Sequence, residues 1–347
     1  MKIGLVGYQG SGKSTLFEWL TGAAPDQARA HLGSSAMVPI PDDYHEPLRE
    51  IFKSKKVTQA SLEVIDTPGL SRTPQGNAAK LALIREAGCL CVVVGAFDQA
   101  DPAADFQRFD DDLLLADLEI VTGRVERLRE AVKKPRPSRE KDMADLAALE
   151  PLLASLEAGQ SLVRDQMTEN QVKATRTFGL FAEKPRLIIV NLADDETMGG
   201  KEPPEAFLEQ IGASARAVAV PLRMELELAQ MASEEQAEFK QEMGLKGFDR
   251  DPLIKLILDA SGQMLFFTGN QKEVRTWMLR KGSTALDAAR VIHSDLARGF
   301  IRAEIFQCED LIRLGSLREV KAKNLVRQES KDYVIQDGEY LGILSGV

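Results

Sequence analysis

The stretch Ile3-Gly4-Leu5-Val6-Gly7-Tyr8-Gln9-Gly10-Ser11-Gly12-Lys13-Ser14-Thr15 decides how this chain is read. An apolar run of strand character ends in a glycine-rich loop, and Thr15-Leu16-Phe17-Glu18-Trp19-Leu20 then reads as a helix. That order of elements is the setting a G-x-x-x-x-G-K-[ST] phosphate loop requires. Gly7, Gly10 and Gly12 allow backbone N–H groups to turn inward around phosphate oxygens, with Ser11 and Thr15 in the same cradle. The helix N-terminus adds donors and partial positive charge. Lys13 is expected at the β- and γ-phosphates and the Ser14 hydroxyl at Mg²⁺. The expected ligand is a nucleoside triphosphate, ATP or GTP, bound with Mg²⁺.

A second run, Leu62–Ile65, leads into Asp66-Thr67-Pro68-Gly69. Asp66 is placed to hold the magnesium through water, and the Gly69 N–H to sense the γ-phosphate. Leu70 follows, where many GTPases carry a glutamine that orients the attacking water. Leucine cannot do this, so hydrolysis is slow or places its water by other means. Lys13, Gly69 and Leu70 are the switch and phosphate candidates, and no catalytic residue is assigned.

Asn191-Leu192-Ala193-Asp194 occupies the place of the Asn-Lys-x-Asp sequence of guanine-reading proteins, with Leu192 replacing lysine. Asn191, Leu192 and Asp194 are therefore the base-side candidates. Pro221, after a later run, has no N–H to give to a base.

Five short apolar runs (Ile3–Val6, Leu62–Ile65, Leu90–Val94, Leu187–Val190 and Ala217–Val220) alternate with helical or loop stretches, the pattern of a doubly wound, mostly parallel α/β sheet. The long gap before Leu187 holds Leu114, Leu118, Val121, Val125, Leu128 and Val132, spaced to share one helix face. Lys133-Lys134-Pro135-Arg136-Pro137 interrupts it, and Leu146, Leu149, Leu153 and Leu156 form a second series. The expectation is an inserted antiparallel helical hairpin, with Pro151 causing a kink or a later helix start. Beyond about Leu265, strand-like pieces at Glu304-Ile305-Phe306, Lys331–Ile335 and Tyr340–Leu344 surround a helix at Ala285–His293. They predict a small α+β module.

The net charge of −9 argues against a surface that coats nucleic acid, but leaves room for local basic patches. One is the hairpin tip, Lys133, Lys134, Arg136, Arg139 and Lys141 against Glu140; another is Arg313–Lys331. Each is a candidate for RNA phosphate or a solvated face. Cys89 and Cys91 alternate in an apolar run and read as buried strand, and with Cys308 the three cysteines form no metal spacing. His293 reads as a structural hydrogen-bonding residue, His31 falls near the expected first switch, and His45 has no evident partner. Phe266 and Phe267 read as core. No run approaches the roughly 20 apolar residues a membrane span needs, and structure begins at Met1-Lys2-Ile3, so a cytoplasmic, monomeric protein is expected.

The strings GKSTLFEWLTGA, Val38-Pro39-Ile40-Pro41-Asp42, DTPGL, Ile84-Arg85-Glu86, Leu113–Glu119, Glu234–Leu245, Lys272–Trp277, Lys281–Glu304 and Asp332–Gly338 together resemble the Obg-like ATPase (YchF) subfamily of translation-factor-related P-loop proteins. The resemblance implies a nucleotide domain (1–110 and 178–262), a helical hairpin (111–177) and a ubiquitin-like TGS domain (263–347). It also implies ATP preference and a role near the ribosome, with contacts through the hairpin tip and TGS domain, or in stress response. This chain departs from the family in four places. Asp194 ends the base motif where the family usually has Glu. Ala30 stands at the first-switch threonine within Ala28–Ser35, with Ser34 or Ser35 as substitutes. The second switch is shortened to Ser71–Asn77, and Pro221 removes a base-reading N–H. A molecular switch with slow hydrolysis is thus expected, the alternative being a non-hydrolysing nucleotide sensor. A metabolic kinase on the same loop would leave the C-terminal half unexplained.

Overall fold

In the computed structural model the described residues are 1–26, 33–73, 76–98, 100–160, 162, 166–193, 205–211, 216–242 and 248–346. The elements follow in chain order. The first stretch gives β1 (Lys2–Val6), α1 (Lys13–Thr21), β2 (Ser34–Pro39), α2 (His45–Phe52), β3 (Lys56–Thr58) and β4 (Ser61–Asp66). Next come α3 (Asn77–Arg85), β5 (Cys89–Ala96), α4 (Pro102–Ala131), α5 (Arg139–Glu157) and α6 (Glu169–Thr175). The sheet is then completed through β6 (Arg186–Leu192), α7 (Glu205–Ile211), β7 (Ala217–Val220), α8 (Leu222–Gln230) and α9 (Ser233–Glu242). The remainder contains α10 (Arg250–Ala260), β8 (Gln263–Gly269), β9 (Glu273–Arg280), α11 (Ala285–Ile292), α12 (Ser294–Arg298), β10 (Phe300–Gln307), α13 (Cys308–Leu314), α14 (Leu317–Ala322), β11 (Arg327–Glu329) and β12 (Glu339–Ser345).

Two compact units result: Met1–Ala36 with Glu63–Asp249, and Met37–Leu62 with Arg250–Val347. The first is built on a sheet of order β2-β4-β1-β5-β6-β7, in which β4, β1, β5, β6 and β7 run parallel. Its central strand β5 is apolar on both faces, as a strand covered on each side by helices must be. Cys89 and Cys91 are wholly buried in it.

The helical hairpin belongs to the first unit. Asp101 caps α4 by accepting from the Ala103 and Ala104 N–H groups, with Pro102 at the first helical position, where its missing N–H costs nothing. Val121, Val125 and Leu128 of α4 pack against Leu149, Leu152, Leu153 and Leu156 of α5, all buried. Helix α5 starts at Arg139 and runs through Pro151, so the proline does not delay its start. Proline still removes one helical donor there.

The second unit has a mixed sheet of order β11-β10-β12-β8-β9-β3. Phe266 and Phe267 of β8 are fully buried in it, each contributing about 1.5–3 kcal/mol of apolar burial. Two sequence expectations are corrected here. Met37–Leu62, assigned with the phosphate loop, packs with the C-terminal residues, because β3 adds parallel to β9 through Lys56, Val57 and Thr58 opposite Glu273, Val274 and Arg275. Lys331–Ile335, expected as a strand, is a turn carrying one bridge between Thr284 and Val334. Its N–H groups go elsewhere: Tyr333 N to Ser330 O and Ile335 N to Ser283 O. Among the described residues no helix is long and apolar enough to cross a membrane.

Candidate nucleotide site

The phosphate loop lies between β1 and α1. Gly12 caps α1 with φ near 102°, a conformation that disfavours any side chain, and a Cβ there would stand 2.3 Å from Asn191 Nδ2. Lys13 is buried and its Nζ donates to the Tyr8 carbonyl at 2.6 Å. Burial pushes its pKa down to about 8, with Asp66 opposing that shift and the Lys80 charge adding to it. The Ser11 hydroxyl is buried and has no hydrogen-bond partner among the described residues. An orphaned buried donor beside a helix N-terminus and an ammonium suits an anionic ligand.

The second motif meets the first. Ser14 Oγ donates to Asp66 Oδ2 at 2.7 Å, while Asp66 Oδ1 is buried and unpartnered among the described residues. Burial raises the Asp66 pKa, partly offset by the Ser14 bond and the Lys13 charge. A hydroxyl beside an under-satisfied carboxylate is a hard oxygen donor set, which fits Mg²⁺. Thr67 is tied back to β1 through Oγ1 to Leu5 O at 2.6 Å.

Gly69 lies against the loop so closely that a Cβ would fall 2.8 Å from Lys13 Nζ and 2.9 Å from Gln9 N. Leu70 is wholly buried in the sheet's apolar cluster. Its N–H donates to Gly7 O at 3.1 Å and its carbonyl accepts from Gln9 N at 3.0 Å. The position that would carry a water-orienting glutamine thus points into the core. The short second switch is clamped from α3: Asn77 accepts from Ser71 N and donates to Ser71 O, both at 2.9 Å, and Lys80 Nζ donates to Gly69 O at 2.8 Å.

Sequence reading missed three neighbours of the site: Tyr8, Arg72 and Lys80. Tyr8 donates its hydroxyl to Asp112 on α4 at 2.8 Å, and burial followed by Asp112 pushes its pKa far up. Arg72 stacks 5.3 Å over the Tyr8 ring and pairs with Asp105 of α4 at 2.6 Å. Loop and switch are therefore both moored to α4, the first arm of the hairpin.

On the base side Asn191 is a brace. Its Nδ2 donates to Ser11 O at 3.2 Å and its Oδ1 accepts from Leu222 N at 3.1 Å. Leu192 is buried in the core cluster. Pro221 caps α8, so the first N–H of that helix end, Leu222, is spent on Asn191. Asp194, Ala30 and His31 lie outside the described residues. Ser34, offered as a substitute first-switch hydroxyl, accepts from Asp26 N at 3.0 Å.

Two family-type strings meet at a buried ion pair in the same unit. Arg85 Nη1 reaches Asp117 Oδ1 at 2.7 Å, and Asp117 Oδ2 accepts from Ala182 N at 2.9 Å. Arg85 also donates to Ala116 O at 2.8 Å and lies 4.0 Å over the Phe181 ring. In the other unit Glu339, fully buried, accepts from Tyr333 Oη and Gln336 N at 2.8 Å each and pairs with Arg327. His293 caps α12 by accepting from Asp295 N, the structural role expected of it. His45 finds Asp42 at 3.1 Å.

A family model described as 50S ribosome-binding GTPase matches residues 2–121. Another, for the C-terminal region of YchF GTPases and described as a protein of unknown function, matches residues 264–344. The Ribosome-binding ATPase YchF of Bacillus subtilis is 32% identical over 359 residues, covering 97% of each chain. That of Escherichia coli O157:H7 is 31% identical over 373 residues, covering 100% of this chain and 99% of the relative. Among solved structures, the Schizosaccharomyces pombe YchF GTPase superposes with a TM-score of 0.82 at 24% identity, over 99% of this chain and 97% of that one, a likeness of fold.

Proposed function

Because this chain belongs to the YchF family, we propose that it is a ribosome-associated molecular switch that binds ATP or GTP with Mg²⁺ and hydrolyses it slowly. The observation that carries the reading is the meeting of the two motifs: Ser14 Oγ on Asp66 Oδ2 at 2.7 Å, beside buried Lys13 and the closely packed Gly69. Ser14 and Asp66 would hold Mg²⁺, which when bound supplies charge neutralisation between the β- and γ-phosphate oxygens. Lys13 would exchange the Tyr8 carbonyl for phosphate oxygens. The Gly69 N–H would report the γ-phosphate, and loss of that phosphate would release the switch.

The hairpin tip is proposed as one ribosomal contact. Lys133 pairs with Glu130 and Arg136 with Asp142, and all five tip cations are exposed. The C-terminal residues 263–347, read as a TGS domain, are proposed as another. A cytoplasmic monomer fits this work. Sedimentation with ribosomes should weaken on Lys134→Glu with Lys141→Glu, and the difference from wild type should shrink as salt rises, because the variant neutralises fewer phosphates.

A non-hydrolysing sensor is favoured by one observation, the burial of Leu70. Single-turnover assays with and without ribosomes decide between the two: tight binding with no turnover in either condition supports the sensor. Competition between ATP and GTP, repeated with Asp194→Glu, tests base choice. A selective loss of GTP affinity would mark Asp194 as the guanine reader, and equal effects on both nucleotides would remove it from that role.

A further inference from the structure

Lys80 is a lysine on α3, three residues into a helix that follows the second switch, and no phosphate-loop motif asks for it. Its side chain is half-buried, and its Nζ sits 2.8 Å from the carbonyl oxygen of Gly69. Gly69 in turn approaches Lys13 Nζ so closely that a methyl group on its Cα would stand 2.8 Å away. The structure therefore gathers two ammonium groups around one glycine, and each rests on a backbone carbonyl, Lys13 on Tyr8 O and Lys80 on Gly69 O. The two charges repel, and that repulsion is one cause of the lowered Lys13 pKa. Asp66 is the nearest counter-charge to Lys13, and among the described residues no carboxylate pairs with Lys80.

Holding like charges together in a half-buried site is unfavourable unless an anion comes between them. An ammonium has three donors, so Lys80 can keep Gly69 O and still offer hydrogen bonds to a ligand. It approaches from the switch side of the loop, the side on which a γ-phosphate differs from a β-phosphate. We propose that Lys80 is a second phosphate-binding cation that contacts the γ-phosphate and sets the preference for triphosphate over diphosphate. This rests on the nucleotide-switch reading, whose Lys13 serves both phosphates.

The test is equilibrium binding of ATP, ADP, GTP and GDP to the full chain with Mg²⁺, comparing wild type with Lys80→Met and Lys80→Arg. Lys80→Met should weaken triphosphate binding about 10- to 100-fold, the range for a lost bond to a charged group, while diphosphate affinity moves less than threefold. Lys80→Arg should recover most of the difference. Equal weakening of both nucleotides would reduce Lys80 to a strut for Gly69 and overturn the inference, as would no change in either. A wild-type protein that binds neither nucleotide would overturn the switch reading and this inference together. Retained binding with an unchanged ratio would overturn this inference alone. Melting curves establish that the variants fold, and Lys80→Gln takes the place of the methionine variant should that one fail to.

Discussion

Replacing Asp117 by alanine strands two groups at once. The Arg85 guanidinium loses its only carboxylate among the described residues, and the Ala182 N–H loses its acceptor. Arg85 cannot swing out to water, because Ala116 O and the Phe181 ring hold it in place. Breaking a buried pair by removing one partner costs about 3–5 kcal/mol. With a urea m-value of about 3 kcal/mol/M for a unit of this size, the unfolding midpoint should fall by about 1–1.7 M. The chain offers a clean probe: of its two tryptophans, Trp19 lies in α1 of the nucleotide unit and Trp277 in β9 of the other. Fluorescence of a Trp277→Phe background therefore follows the nucleotide unit. Asp117→Asn keeps one acceptor oxygen but turns its NH2 toward either Arg85 or the Ala182 N–H, so it should lose nearly as much. The double variant Arg85→Met with Asp117→Leu should recover part of the loss, since an apolar pair removes the desolvation cost along with the attraction, and about 1–3 kcal/mol should remain because the Ala182 N–H stays unpaired. A midpoint shift below about 0.3 M for Asp117→Ala, or a double variant no better than the single one, would refute the reasoning.

Leu70→Gln restores a residue type common in GTPases, but the side chain points into the core. It should cost about 3 kcal/mol or more from lost apolar burial and a buried amide, seen as a lowered melting temperature, with no rise in hydrolysis. Gly12→Ala should displace Asn191 and strain a φ near 102°, lowering nucleotide affinity at least about tenfold by equilibrium titration; Asn191→Ala in the same chain should recover only the steric part. Triphosphate affinity should fall as pH rises through 8. Bound phosphate keeps Lys13 charged while the free protein loses that proton at about 8, so each unit above costs up to about tenfold, and calorimetry should record proton uptake on binding.

Much of the nucleotide unit was legible because its signals are local. Central parallel strands are apolar on both faces, so runs such as Leu90–Val94 announce themselves, and the heptads of α4 and α5 mark a packed pair. Lys13, Ser14 and Asp66 were readable for the same reason, each lying inside a contiguous motif. The role of Tyr8 was not, because it depends on Asp112 and Arg72, which only the fold brings near. Leu70 was recognised as unable to orient water, but its burial beneath the loop carries no local mark. Asn191 read as a base contact; both ends of its amide turn out to be spent on the protein. Val334 and Ile335 look like a strand, yet their backbone makes a single bridge to Thr284 and one bond to Ser283 O.

The edge strand β3 pairs with β9, Lys56 opposite Glu273, 217 positions later in the chain. During synthesis, at about 5–20 residues per second, that partner appears roughly 10–40 seconds after β3 has left the ribosome. For that interval Phe52, whose final neighbours are Tyr340 and Gly269, has nothing to cover it. Meanwhile Glu63 onward is free to add β4 to β1. Residues 37–62 are thus an early-made segment with a late-made home. Ending the chain at 249 would leave them permanently without it, an unpaired strand and an apolar helix face open to aggregation.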